Sequence, residues 1–117
     1  MPNVDMDVFD RALQLAKKST MQHKHGAVIV KNGEIIGEGY NHLTDFMCHQ
    51  WSVHSEVAAI MSLKKQHRHR KFLEDAVMVV VRMGPPSNIN ACKNSAPCDR
   101  CRQAIAKAGI GRVFYSC

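Results

Sequence analysis

The stretch "GAVIVKNGEIIGEGYNH", residues 26–42, decides the fold class of this chain. Residues 27–31 are an apolar, β-branched run of the kind that suits a buried strand. Asn32-Gly33 follows. Both central residues of a tight hairpin turn need positive φ, which these two types tolerate best. Glu34 to Tyr40 then returns as a second, antiparallel strand. Gly37 and Gly39 thin that strand and mark a bulge or the close approach of another backbone.

On the N-terminal side, residues 5–19 place Val8, Phe9, Ala12, Leu13, Leu15 and Ala16 at helical spacing. Asp5 and Asp7 open this helix, and Lys17 and Lys18 close it, as the helix dipole prefers. On the C-terminal side, residues 41–53 read as a polar, sulfur-bearing loop. A helix is expected from about His54, with Val57, Ala58, Ile60, Met61 and Leu63 on its apolar face. The basic run Lys64–Lys71 closes it in solvent. "DAVMVVVR", residues 75–82, is a buried strand. A further helix is expected from about Cys98 to Ala108, with Gly109 as its C-terminal cap. "RVFYS" is a last short strand. The order αββαβαβ implies an α/β domain with a mixed sheet: an antiparallel hairpin, and parallel pairing of the last two strands.

The 117 residues are the length of one domain, expected to span 1–117, and large enough to form a core without disulfide staples. No segment approaches the roughly 20 apolar residues of a membrane span. The opening "MPNVDMDVFD" is acidic and lacks the apolar core of a secretion signal, which points to an intracellular, cytoplasmic location. Five cysteines, an odd number, without such a signal do not read as a disulfide framework. Clustered Cys and His in a reducing setting point to metal or catalysis. The formal charge of +6 fits anionic partners, and it equally fits a merely basic soluble domain.

Cys98 and Cys101 are three residues apart, so both face one side of a helix's first turn, and Pro97 suits the position before it. The helix dipole there favours thiolates. Alone, this pair reads as a metal clip or a redox couple. Upstream, His54-Ser55-Glu56 begins the other helix that follows a loop. If the two helices start at the same sheet edge, His54 joins Cys98 and Cys101. Three protein ligands leave the fourth zinc position open, which is the catalytic pattern. Glu56 beside that position has a use, because a carboxylate there can move protons.

His-x-Glu followed by Pro-Cys-x-x-Cys is the nucleobase deaminase signature. At this point the chain resembles the cytidine and deoxycytidylate deaminase family. "GAVIVKNGEIIGEGYN" looks like that family's first hairpin, "HSEVAAI" like its first metal helix, and "PCDRCRQAIAKAGIGRVFYS" like its second helix and following strand. The likeness covers roughly residues 5–116. It implies a three-layer α/β/α cytidine deaminase-like fold and hydrolytic deamination of a cytosine nucleoside or nucleotide. Zn2+ would be held by His54, Cys98 and Cys101, with Glu56 as proton shuttle. Asn41 would contact base or sugar, Gly26 and Ala27 would floor the pocket, and the backbone of Ser55 would touch the base. The family usually continues with another strand and helix, so the chain is expected to be short at its C-terminus. A homo-oligomer is also expected.

Other readings stand beside this one. A base deaminase acting on tRNA or single-stranded nucleic acid would use Lys64–Lys71 as its contact, whereas the same run also fits a solvated helix end. A non-catalytic zinc-binding module would keep the fold without turnover. Cys92 could close the zinc site as a fourth ligand. Cys48, His49 and Cys92 could hold a second metal, or be a buried thiol and surface imidazoles. His23 and His25 precede the first strand and read as surface residues, with contact to the pocket as the lesser alternative.

Overall fold

A computed structural model gives the structure of the protein and describes residues 6–46, 49–83 and 99–115. Helix α1 (Met6–Lys18) forms where the spacing places it, with Asp7 in its first turn and Lys17 and Lys18 in its last. Its buried stripe is Val8, Ala12, Leu15 and Ala16. Strands β1 (Lys24–Lys31) and β2 (Glu34–Tyr40) are joined by Asn32 at φ 52° and Gly33 at φ 77°, the left-handed pair the hairpin requires. Their register slips after Ile29, so that Ile36 is the extra residue of a β-bulge.

Residues 41–53, expected as a loop, instead contain a second hairpin. Strands β3 (His42–Phe46) and β4 (His49–Val53) pair only with each other. The sequences HLTDF and HQWSV do not alternate apolar with polar, so no period-2 pattern marks them as strands. The second expected helix is also shorter. Helix α2 spans Ser55–Met61, and the basic run beyond it forms a 3₁₀ turn (Lys65–His67) and one turn of helix, α3 (Arg70–Leu73). Strand β5 (Val77–Met83), helix α4 (Asp99–Ala108) and strand β6 (Arg112–Tyr115) complete the order. Gly109, at φ 89°, ends α4, donating its N–H to the Ile105 and Ala106 carbonyls.

The main sheet has the order β2-β1-β5-β6. β1 is antiparallel to β2 and β5, and β5 is parallel to β6, so the sheet is mixed, as the sequence implied. Alternation along each strand sends residues to two cores. Val28, Val77, Val79 and Val81 meet α1 on one face. Ala27, Ile29, Met78 and Val80 meet Ala59 and Leu63, Leu73 and Ile105 on the other. The result is α1, sheet, and a layer of α2, α3 and α4. Among the described residues, no helix is long and apolar enough to cross a membrane.

Two close contacts set the layers. A Cβ at Gly26 would lie 2.0 Å from the Ala12 carbonyl oxygen, so α1 rests on β1 backbone. A Cβ at Gly39 would lie 2.4 Å from Ala59 N, and one at Gly37 would lie 2.9 Å from Ala59 O. Helix α2 therefore lies directly on the β2 main chain, and the two glycines exist to admit it. Ser62 locks the far end: its hydroxyl accepts the Glu38 N–H at 2.9 Å and donates to the Ala59 carbonyl at 2.7 Å.

Candidate functional site

His54 stands at the N-cap of α2 with extended backbone (φ −75°, ψ 152°), and its carbonyl accepts the first helical N–H, from Ala58. Its side chain does not cap the helix. The ring instead reaches α4, where Nδ1 lies 3.1 Å from the Cys101 Sγ. Cys101 is buried at the first turn of α4. The two helices thus bring a nitrogen and a sulfur donor together across 47 residues of sequence. Cys98, with Pro97, lies outside the described residues, as do Cys48 and Cys92. Among the described residues, no three His, Cys, Asp or Glu side chains form a metal-holding group. His49 lies on β4.

Glu56 follows two residues after His54 and is 5 % exposed. Its Oε1 accepts a hydrogen bond of 2.8 Å from the Ser55 hydroxyl, and Ser55 is itself fully buried. Ser55 was expected to matter through its backbone. Its side chain has a further use, fixing the carboxylate in a low-dielectric setting where orientation is expensive to change.

The floor beneath α2 follows from register. His25 pairs across β1 and β5 with Arg82, and the Asn41 N–H donates to the His25 carbonyl at 3.2 Å. His25 has the parity of Ala27, Arg82 that of Val80, and Asn41 that of Gly39. All three therefore face α2 in one row across three strands. Asn41 is buried, and its side chain pins the start of β1: Oδ1 accepts the His25 N–H at 2.8 Å, and Nδ2 donates to the His23 carbonyl at 2.6 Å. Burial pulls the His25 imidazole below its usual range. The nearby Glu56 charge pushes it back up, and Arg82 and His54 pull it down again.

These observations correct two readings. His25 is not a surface residue before the strand. It is half-buried within β1, and it feels Glu56. Gly26, expected on the pocket floor, belongs to the row that faces α1, and the absence of a side chain there serves helix packing. Ala27 does lie on the α2 face, fully buried in the core. Arg82 was missed and pocket contact for His25 stood only as the lesser alternative, although a signal existed for both. A polar residue continuing the parity of Ala27 and Ile29, or of Met78 and Val80, points inward at a strand end.

The basic run has its own structural explanation. Arg68 donates to the Leu63 carbonyl at 2.8 Å and the Met61 carbonyl at 2.6 Å, at the end of α2. Arg70 reaches the Ala106 and Lys107 carbonyls at the end of α4. Both arginines meet carbonyls at or just beyond a helix end, where backbone acceptors have capacity left over. His67 stacks on Phe72 with ring centroids 4.6 Å apart, and Lys31 sits 3.5 Å from that ring's centroid.

A mixed sheet between helical layers, with His-x-Glu opening one helix and a Cys-x-x-Cys cysteine on the adjacent one, defines a nucleobase deaminase domain. The chain matches the cytidine and deoxycytidylate deaminase zinc-binding region over residues 2–117, and it belongs to that family. Over 106 residues it is 31% identical to a tRNA-specific adenosine deaminase of Streptococcus pyogenes, a match covering 89% of this chain and 57% of that protein. The chain spans about half the length of the curated relatives it matches. Among solved structures, it is similar to the dCMP deaminase of cyanophage S-TIM5, with a TM-score of 0.68 and 22% identity, covering 98% of this chain and 83% of that one. It is also similar to a guanine deaminase of Bacillus subtilis, with a TM-score of 0.63 and 26% identity, covering 97% and 64%. The matched region is a zinc-binding one, so Zn2+ is the implied cofactor. The donors present fit it: imidazole nitrogen and cysteine sulfur are the ligand types zinc takes.

Proposed function

We propose that this chain hydrolytically deaminates a cytosine nucleoside or nucleotide, releasing ammonia and leaving the uracil product. The approach of His54 Nδ1 to Cys101 Sγ, with Glu56 buried beside it, carries the reading. In this reading His54, Cys98 and Cys101 hold zinc, which when bound activates water by lowering its pKa towards neutrality. Replacing the amine at C4 by a water oxygen requires two proton movements. One proton goes to the ring nitrogen N3, and one goes to the departing amine. In this reading Glu56 carries both, which its buried carboxylate and the hydrogen bond from the Ser55 hydroxyl support. Asn41 and Ala27 would meet the base or sugar, Asn41 through whatever hydrogen-bonding capacity its main-chain contacts leave.

The test is ammonia release from cytidine, deoxycytidine and their 5′-monophosphates, with Glu56→Gln as control. The expected outcome is turnover of at least one of them, falling by about 10²- to 10⁴-fold in Glu56→Gln while zinc stays bound. Turnover unaffected by that substitution would overturn the mechanism. A second reading, a base deaminase acting on tRNA or single-stranded nucleic acid, is favoured by the 31% identity to tRNA-specific adenosine deaminase. Against it, two arginines of the basic run are committed to helix ends. Inosine formation in tRNA, with all four cytosine compounds inert, would decide for the second reading.

A further inference from the structure

The two helices that carry the donor pair are joined again at their far ends. Helix α2 has His54 at its start and α4 has Cys101 in its first turn, and the two side chains meet at 3.1 Å. Both helices then run back to one short segment. Arg68 Nε and Nη2 donate to the Leu63 and Met61 carbonyls, at 2.8 and 2.6 Å, where α2 ends. Two residues on, Arg70 Nη1 donates to the Ala106 and Lys107 carbonyls, at 3.4 and 3.3 Å, where α4 ends. The contact with α4 includes backbone. A Cβ on Gly109 would lie 2.8 Å from the Arg70 Cα, so the first residue of α3 rests on the glycine that closes α4.

Helix α2 is seated on β2 through Gly37 and Gly39, so its own position is set by the sheet. Between the ends of α2 and α4 the packing is incomplete. A cavity of about 380 Å³ opens there, lined by Ile60, Leu63, Leu73 and Ala108 together with both arginines. Apolar contact alone does not set the spacing of the two helix ends at this point, and the Arg68–Arg70 segment spans the gap. From Cys101 to Ala108, α4 advances roughly 10 Å. A helix of that length is stiff, so a tilt at its end is carried to its start. Metal–ligand distances hold to within about 0.2 Å, so a small tilt of α4 matters at Cys101.

We propose that Arg68 and Arg70 are positioning residues for the metal site. They set the angle between α2 and α4 from the ends opposite the donors, and so keep the first turn of α4 in place against His54. The proposal rests on the zinc-dependent deaminase reading above. It gives two members of the basic run a role that needs no contact with substrate.

The test reads zinc affinity in the full chain, by competition with a chromophoric chelator, for the wild type, Arg68→Ala, Arg70→Ala, Arg70→Lys and Lys71→Ala. Urea unfolding checks that each is folded. Co2+ then replaces zinc, to record the thiolate–metal absorption band, and ammonia release is assayed on the zinc-loaded proteins. The expected affinity falls by about 10- to 100-fold in both alanine variants of the arginines, as when a group that orients a metal ligand is removed. Their cobalt band is altered even at saturation. Arg70→Lys keeps a donor without the planar fork and recovers part of the affinity. Lys71→Ala removes the same charge but neither set of helix-end bonds, and it binds zinc as the wild type does. The sign separates positioning from electrostatics: loss of a cation by itself favours Zn2+, so a fall is geometric. Affinity and cobalt band unmoved in both alanine variants overturn the proposal, as does an equal fall in Lys71→Ala. Should the alanine variants not fold, Arg70→Lys decides alone: an altered cobalt band supports the proposal and a wild-type band overturns it. A wild type that takes up no zinc overturns the proposal and the metal-site reading together. Zinc affinity that depends on both arginines, with no ammonia from any cytosine compound, leaves the positioning role standing and removes the cytosine deaminase reading. Ammonia release with affinity and cobalt band unmoved in the variants does the reverse.

Discussion

Replacing Gly39 with alanine places a methyl carbon where α2 already sits. The new Cβ would lie 2.4 Å from Ala59 N and 2.7 Å from both the carbonyl carbon and the Cβ of Ala58. Ordinary contact begins near 3.4 Å, so about 1 Å of separation has to be found. The atoms in the way are mainly helix backbone, which cannot rotate aside as a side chain does. The helix must lift as a unit, and it carries His54 and Glu56 at its start. Overpacking of this kind costs about 1–3 kcal/mol of stability. A displacement of about 1 Å in a catalytic group costs on the order of 10²-fold in rate. The His54–Cys101 approach of 3.1 Å widens with it, so zinc affinity falls as well. Urea unfolding, zinc content after dialysis and ammonia release, measured on one preparation, would show all three losses together. Gly33→Ala is the matched control. Nothing lies within 4 Å of its Cβ, so it bears only the left-handed φ of 77°, about 1 kcal/mol, and zinc binding is untouched. Gly39→Ala with wild-type stability and zinc content would refute the reasoning. So would Gly33→Ala with an equal zinc defect.

Two further outcomes follow from the same structure. Arg11 clasps Glu38 with two hydrogen bonds, of 2.5 and 3.0 Å, tying α1 to β2, and this holds the Glu38 carboxyl below its usual 4.5. A depressed folded-state value means the pair stabilises above about pH 4.5 and loses that contribution as the pH falls through the lower value. Both side chains are about one-third exposed, so the contribution is at most about 1 kcal/mol, and Glu38→Gln should flatten stability against pH below about pH 4.5 by that amount. Separately, His54→Ala and Cys101→Ser should each leave zinc far below stoichiometric by atomic absorption. Full loading of either variant would exclude that residue as a ligand.

Much of the framework was legible because local physics dictates it. The stripe of α1 follows from 3.6-residue spacing, and the first hairpin from two residues that tolerate positive φ. Strand β5 follows from a valine run, and the end of α4 from Gly109. The pairing of His-x-Glu with Cys-x-x-Cys was legible for a chemical reason, since three soft or borderline donors and a carboxylate have few other joint uses. Strands β3 and β4 were not legible, because their ten residues do not alternate apolar with polar in the sequence. The early end of α2 was hidden too. Lysine, histidine and arginine continue a helix readily, and what stops this one includes Arg68 turning back onto the Met61 and Leu63 carbonyls.

The sequence alone was enough for α1, the first hairpin, β5, α4 and β6, for the mixed sheet, and for the candidate chemistry at His54, Glu56, Cys98 and Cys101, because each depends on neighbours within a few residues or on side-chain type. Tertiary structure decided which residues share a floor. Gly26 turns towards α1, whereas His25 turns towards Glu56, with Arg82 its cross-strand neighbour and Asn41 holding its main chain. That choice depends on the register of β1 against a strand more than fifty residues away. A slip of one residue would send every one of these side chains to the opposite face.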